Sequence, residues 1–150
     1  MRLNHTMKFY ITGTRRGLGK RLSELYPVTD NLETCDIFIN CKHDGFSQVD
    51  LLYKAAKLNK RIINIGSAAS DWTKGYKDNF KYGIEKHTLR MVNDQLFWQG
   101  VNTTILNFGY FDTERSSHVD KPKMTLDYVI EIIDWVIFQP HRIKEMTLCA

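Results

Sequence analysis

A glycine-rich turn set between a strand and a helix restricts what this chain can fold into more than any other feature. Lys8 to Ile11 is a short apolar run that stops at Thr12-Gly-Thr-Arg-Arg-Gly-Leu-Gly19, after which Leu18, Leu22 and Leu25 recur at helical spacing until Pro27. A turn in this context lets backbone approach a phosphate and points the unpaired N–H groups of a helix start toward it. Gly13 can make the tight turn, Gly17 admits a pyrophosphate, and Gly19 allows close helix–strand contact. The plainer alternative is an ordinary strand-to-helix turn that uses glycine.

The rest of the chain repeats the alternation. Residues 27–35 read as connection, with extended residues around Val28, and Asp36 to Asn40 as a buried strand. A helix follows over 47–59, then a strand over 61–65 closed by the small-residue turn Gly66-Ser-Ala-Ala-Ser70. A polar stretch, 71–81, leads to a long helix ending near Gly100, and 101–108 is the next strand. After a polar loop, Thr125 can cap a helix with Leu126, Ile130, Ile133 and Ile137 at helical spacing, and 145–150 forms a last strand. Strands alternating with helices and no internal repeat predict one α/β domain over 1–150, with a mostly parallel sheet, helices on both faces and right-handed crossovers.

Composition removes other classes. The chain has 150 residues, 43% of them apolar and 25% charged, enough to bury about two-thirds of its unfolded surface in a single core. Apolar stretches are interrupted by charge, as Ile130 to Phe138 is by Glu131 and Asp134, so no membrane association is expected. Cys35, Cys41 and Cys149 show no CxxC spacing and the histidines no ligand spacing, which predicts a reduced cytoplasmic protein without a structural metal. The net charge of +4 is spread along the chain; Arg15, Arg16, Lys20 and Arg21 cluster without a recognition motif, so nucleic acid is not an expected partner.

Tyr82 and Lys86 lie one helical turn apart, where an ammonium can lower a phenol's pKa and create an acid–base pair. Tyr53 and Lys57 share the spacing, but Tyr53 sits inside a helix with Leu52 and Ala56 as apolar neighbours and reads as packing. Tyr82 instead opens the helix that follows the strand ending near Ser67.

These residues together resemble the short-chain dehydrogenases/reductases. Thr12 to Gly19 is similar to that family's cofactor loop, Ile37 to Asn40 to its strand ending in asparagine, and Asn64-Ile-Gly-Ser67 to the strand delivering its active-site serine. Tyr82 and Lys86 match its YxxxK pair, Asn107 to Thr113 its PGxxxT segment with Phe108 in place of proline, and 143–148 its closing strand. The matches run in family order from about residue 8 to the end. The resemblance implies a Rossmann-like doubly wound parallel sheet, truncated to about five strands because residues 20–35 leave no room for the second and third strands. The family's order would shrink to 1-4-5-6-7, with the first strand left as an edge.

The resemblance further implies hydride transfer between a nicotinamide cofactor and a small carbonyl or alcohol substrate, with Ser67, Tyr82 and Lys86 catalytic. Gly13, Thr14, Arg15, Arg16, Gly17, Leu18, Gly19, Asn40, Lys86, Gly109 and Thr113 would hold the cofactor. With no acidic residue assignable after a second strand, Arg15 and Arg16 favour NADP(H) over NAD(H) through a 2′-phosphate. No asparagine in 41–58 supplies the family's fourth active-site member, and the loop after Thr113 is short. The competing expectation is a nucleotide-binding or sensor protein that keeps the scaffold without turnover. Surplus apolar stripes on the 47–59 and 82–99 helices, the faces relatives pair across a two-fold axis, predict a homodimer or homotetramer.

Overall fold

The computed structural model describes residues 6–71 and 80–150. The polar stretch before the long helix falls largely at 72–79, outside the described residues. Five strands, β1 (Phe9–Ile11), β2 (Ile37–Asn40), β3 (Arg61–Ser67), β4 (Thr103–Phe108) and β5 (Glu145–Leu148), form one sheet in the order β1-β2-β3-β4-β5. All four pairings are parallel, with Ile11 opposite Ile39, Asn40 opposite Asn64, Ser67 opposite Phe108 and Phe108 opposite Leu148. This is the shortened order expected from the sequence.

Side chains alternate across the pleat, so each strand feeds two cores. Phe9, Ile11, Ile37, Ile39, Ile63, Ile65, Leu106 and Phe108 face α1 (Gly17–Leu25) and α4 (Leu126–Ile137), meeting Leu18, Leu22, Val129, Ile133 and Val136. Phe38, Ile62 and Ile105 face α2 (Ser47–Lys57) and α3 (Phe80–Trp98), meeting Val49, Leu52, Ala55, Leu89, Val92 and Leu96. Strands covered on both faces read as continuous apolar runs, which is why β2 is Ile-Phe-Ile and wholly buried. Thr125 caps α4 as its sequence suggests, accepting the Tyr128 N–H at 3.1 Å. Arg90 on α3 forks onto Glu145 of β5 at 2.7 and 2.8 Å and also pairs with Asp71.

Two expectations are corrected and one is refined. Every connection steps one strand in the same direction, yet α1 and α4 lie on one face and α2 and α3 on the other. Two crossovers therefore have one hand and two the other, and they cannot all be right-handed. The cause is burial: with every step in one direction, uniform crossovers would put all four helices on one face and leave the other apolar face of β2 and β3 uncovered.

Second, β1 is the edge of the sheet as expected, but its outer side is partly paired. The Phe9 N–H donates to Pro27 O at 2.8 Å and the Thr29 N–H to Phe9 O at 2.9 Å, so Val28 forms a one-residue parallel bridge. Tyr26 stacks on Phe9 at 4.2 Å beside it. Third, Tyr53 is an exposed residue rather than a packed one, because the inner stripe of α2 is Gln48, Val49, Leu52 and Ala55. Among the described residues, no helix is long and apolar enough to cross a membrane.

Candidate functional site

α1 leaves β1 toward one face and α2 leaves β2 toward the other, which opens a crevice at the carboxyl ends of these strands. The glycine loop lines it. Gly13 and Gly17 have φ of +73° and +61°, a region that glycine enters without strain. A Cβ on Gly19 would lie 2.0 Å from Gly13 O, so the loop closes on itself only because no side chain is there. α1 starts at Gly17 behind Arg16, which makes no side-chain capping bond, leaving the first N–H groups of the helix to a ligand. An absent Cβ at three positions and an uncapped helix start fit the diphosphate of a dinucleotide.

Other expected residues gather at this end of the sheet. Thr12 Oγ1 accepts the N–H groups of Cys41 and Lys42 at 2.9 and 3.1 Å, tying the glycine loop to the end of β2. Thr113 Cγ2 is 3.9 Å from where a Gly17 Cβ would stand, so the segment after β4 meets the loop. Gly109, between β4 and that segment, is crowded by Cys149. Thr14, Arg15 and Arg16 are exposed, and among the described residues neither arginine forms an ion pair. Leu18 is instead buried in the core, and Asn40 is wholly enclosed. The Asn40 side-chain N–H groups go to Gln48 O and Asn64 Oδ1, so it braces the interior rather than the crevice wall.

Ser67 ends β3, and its hydroxyl accepts the Ala69 N–H at 3.0 Å. Tyr82 lies in the first turns of α3. Burial pushes the Tyr82 phenol up, and the opposing pull of its hydrogen bond with Ser67 and of the Arg115 charge does not cancel this. The expected lowering by Lys86 is thus not realised. Lys86 is only 3% exposed, and its Nζ donates to Gln48 Oε1 at 2.8 Å and Ile65 O at 3.1 Å while standing 5.7 Å from the Tyr82 ring centre. Burial pulls the ammonium down to about 8; Cys41 and Glu85 work against that, and Arg115 adds to it. The arrangement can hold a proton on Tyr82, offer the Ser67 hydroxyl beside it and keep a cation below.

Four residues at the site escaped the sequence reading. The His43 ring meets Tyr82 edge-on at 4.7 Å, and its Nε2 is 3.4 Å from Glu85 Oε1. Burial, followed by the Lys86 charge, lowers the His43 pKa, with Glu85 and Gln48 opposing. Arg115 extends its field over Tyr82, Lys86, His43 and Cys41. Gln48 alone carried a legible signal, a polar residue on the apolar stripe it shares with Leu52 and Ala55.

No family model matches the sequence, and no curated protein does. Solved structures match the fold. A short-chain dehydrogenase of Burkholderia cenocepacia J2315 in complex with NADP is 17% identical with a TM-score of 0.67, over 97% of this chain and 89% of that one. An alcohol dehydrogenase of the archaeon Thermococcus sibiricus complexed with 5-hydroxy-NADP is 14% identical, TM-score 0.70, over 96% of both chains. The 3-alpha-hydroxysteroid dehydrogenase of Pseudomonas sp. B-0831 complexed with NADH is 14% identical, TM-score 0.68, over 95% and 94%. The chain has the Rossmann-like α/β fold of these dehydrogenases.

Proposed function

We propose that this chain is a shortened short-chain dehydrogenase/reductase, one domain over 1–150, that reduces a small carbonyl compound with NADP(H). The observation carrying this reading is the grouping of Ser67, a half-buried Tyr82 and a buried Lys86 at the sheet end that also bears the glycine loop. Gly13 to Gly19, Lys86, Gly109 and Thr113 would hold the cofactor, with Asn40 acting from behind, and the cofactor, when bound, supplies the hydride. Ser67 orients the carbonyl oxygen, and Tyr82 gives it a proton. A phenol whose pKa is raised stays protonated at neutral pH, as a donor in reduction requires. The Lys86 charge, still largely present below about 8, stabilises the phenolate left behind.

Arg15 and Arg16 support NADP(H): they are exposed guanidiniums on the glycine loop that follows β1. Replacing both by alanine is expected to weaken NADPH binding at least about tenfold while NADH binding stays nearly constant, and NADPH affinity should fall with added salt. Fluorescence titration with each cofactor tests this. Equal weakening for both would place the arginines on the diphosphate instead.

The alternative, a nucleotide-binding protein without turnover, is favoured by one observation: the Lys86 ammonium is already engaged by Gln48 Oε1 and Ile65 O. Turnover separates the two readings.

Ile84, Met91 and Trp98 form an exposed stripe along α3, with Trp98 72% and Met91 59% exposed, and Tyr53 on α2 and Leu58 at its C-terminal end are exposed as well. We read this surface as a two-fold contact between copies. Light scattering at about micromolar concentration should give a dimer or tetramer mass, and a monomer mass would contradict the contact. The three free cysteines suit a reduced cytoplasm.

A further inference from the structure

We infer that Gln48 is a positioning residue for Lys86, holding the ammonium through a side-chain amide whose orientation the surrounding strands dictate. Gln48 is 2% exposed. Its Nε2 donates to Asn40 O at 2.8 Å and to Ile65 O at 3.0 Å, main-chain acceptors at the end of β2 and within β3. Both amide protons are therefore used, and Oε1 is left for the Lys86 Nζ at 2.8 Å. Turning the amide over would set Oε1 against two carbonyl oxygens and an N–H donor against an ammonium. The contacts themselves forbid the flipped form.

The support extends further. Gln48 O accepts from Asn40 Nδ2, which also donates to Asn64 Oδ1 at 3.0 Å; Asn64 Nδ2 donates to Asn93 Oδ1 and Thr103 Oγ1, both at 3.1 Å. This buried chain joins α2, β2, β3, β4 and α3, so Gln48 is fixed by the sheet and not by α2 alone. Of the three ammonium protons on Lys86, one goes to Gln48 and one to Ile65 O. Tetrahedral nitrogen then directs the third, and that proton is the one open to a ligand.

Both acceptors are neutral. The nearby carboxylate, Glu85, is 3.4 Å from His43 Nε2, and the other groups acting on Lys86 are Cys41 and Arg115. Tyr82 lies one turn before Lys86 on the same helix, and His43 stands at its ring edge. The direct contacts to the nearly enclosed Lys86 ammonium are thus oxygen dipoles, of which Gln48 Oε1 makes the shorter, with Cys41 and Glu85 favouring the charge from further away. This role rests on the proposed reductase reading only for its purpose; the contact itself does not.

The test follows the Lys86 amine by NMR in isotopically lysine-labelled protein without cofactor, with the signal assigned through Lys86→Met. The wild type should titrate near 8. In Gln48→Met the midpoint should fall by at least about one pH unit, because an acceptor that favours the charged form is gone. In Gln48→Glu it should rise, since a carboxylate replaces a neutral oxygen, and this variant decides the matter if Gln48→Met does not fold. Thr103→Val disturbs the same buried chain away from Lys86 and should leave the midpoint in place. An unchanged midpoint in the folded Gln48 variants, or an equal shift in Thr103→Val, would overturn the inference. NADPH titration of the same proteins keeps the readings apart: absent binding with a Gln48-dependent midpoint contradicts the reductase proposal alone, and binding with an indifferent midpoint contradicts this one alone.

Discussion

Gly19→Ala is expected to cost about 3 kcal/mol or more of folding stability and to remove dinucleotide binding. The added Cβ would stand 2.0 Å from Gly13 O, 2.7 Å from Gly13 C and 3.1 Å from Thr12 O. All three are backbone atoms, so no rotamer change relieves the contact. The helix α1 must move away from β1, which pulls Leu18 and Leu22 off Phe9 and Ile11 and opens the turn that faces the ligand. Gly100→Ala is the control. Gly100 has φ +96° but nothing within 4 Å of its missing Cβ, so its cost is conformational alone, about 1–2 kcal/mol. Urea denaturation of the two variants compares them, and equal losses would mean that the close approach at Gly19 carries no special weight.

Tyr82→Phe is expected to lower carbonyl reduction by about 10²–10⁴ while leaving cofactor affinity nearly unchanged, because only the proton donor goes. Stability should change by about 1 kcal/mol, the net worth of one hydrogen bond such as that with Ser67. The pH profile follows from the two shifts. Tyr82 is raised above its ordinary 10.0, so donor deprotonation does not limit reduction at neutral pH. Lys86 loses its charge as pH rises through about 8, and the phenolate then loses its cation. Reduction should therefore decline above about 8, and a rate that rises there would contradict the role given to Lys86.

Much of this architecture is legible in the sequence for a local reason. A parallel strand covered on both faces must be an apolar run, as Ile37 to Ile39 is, and a turn that touches its own backbone must lack side chains, as Gly13 and Gly19 do. The shortened strand order follows from the few residues between Gly19 and Asp36. Other features depend on distant parts of the chain. The hand of the crossovers depends on which sheet face lacks cover, and that is set by the helices together. The extended backbone at Val28 is legible, but its pairing with Phe9 is too short to leave a periodic signal. The direction of the Tyr82 shift is set by burial, which outweighs the opposing pull of Ser67 and of Arg115 brought in from beyond β4, so the four-residue spacing to Lys86 pointed the wrong way. Tyr53 was misplaced because α2 carries apolar residues around much of its circumference, and only packing against Phe38 and Ile62 selects the inner stripe.

The central proposal is that this five-stranded sheet supports hydride transfer from a bound nicotinamide cofactor, with Tyr82 as the proton donor. Its most direct measurement uses NADPH deuterated at nicotinamide C4, incubated with the protein and a panel of small aldehydes and ketones. Mass spectrometry of the products then locates the label. The account predicts deuterium on the alcohol carbon with the wild type, and transfer reduced about 10²-fold or more in a Tyr82→Phe protein that still binds NADPH. A wild type that binds NADPH and transfers deuterium to none of the carbonyls, or a Tyr82→Phe variant that transfers it as fast, would contradict the account.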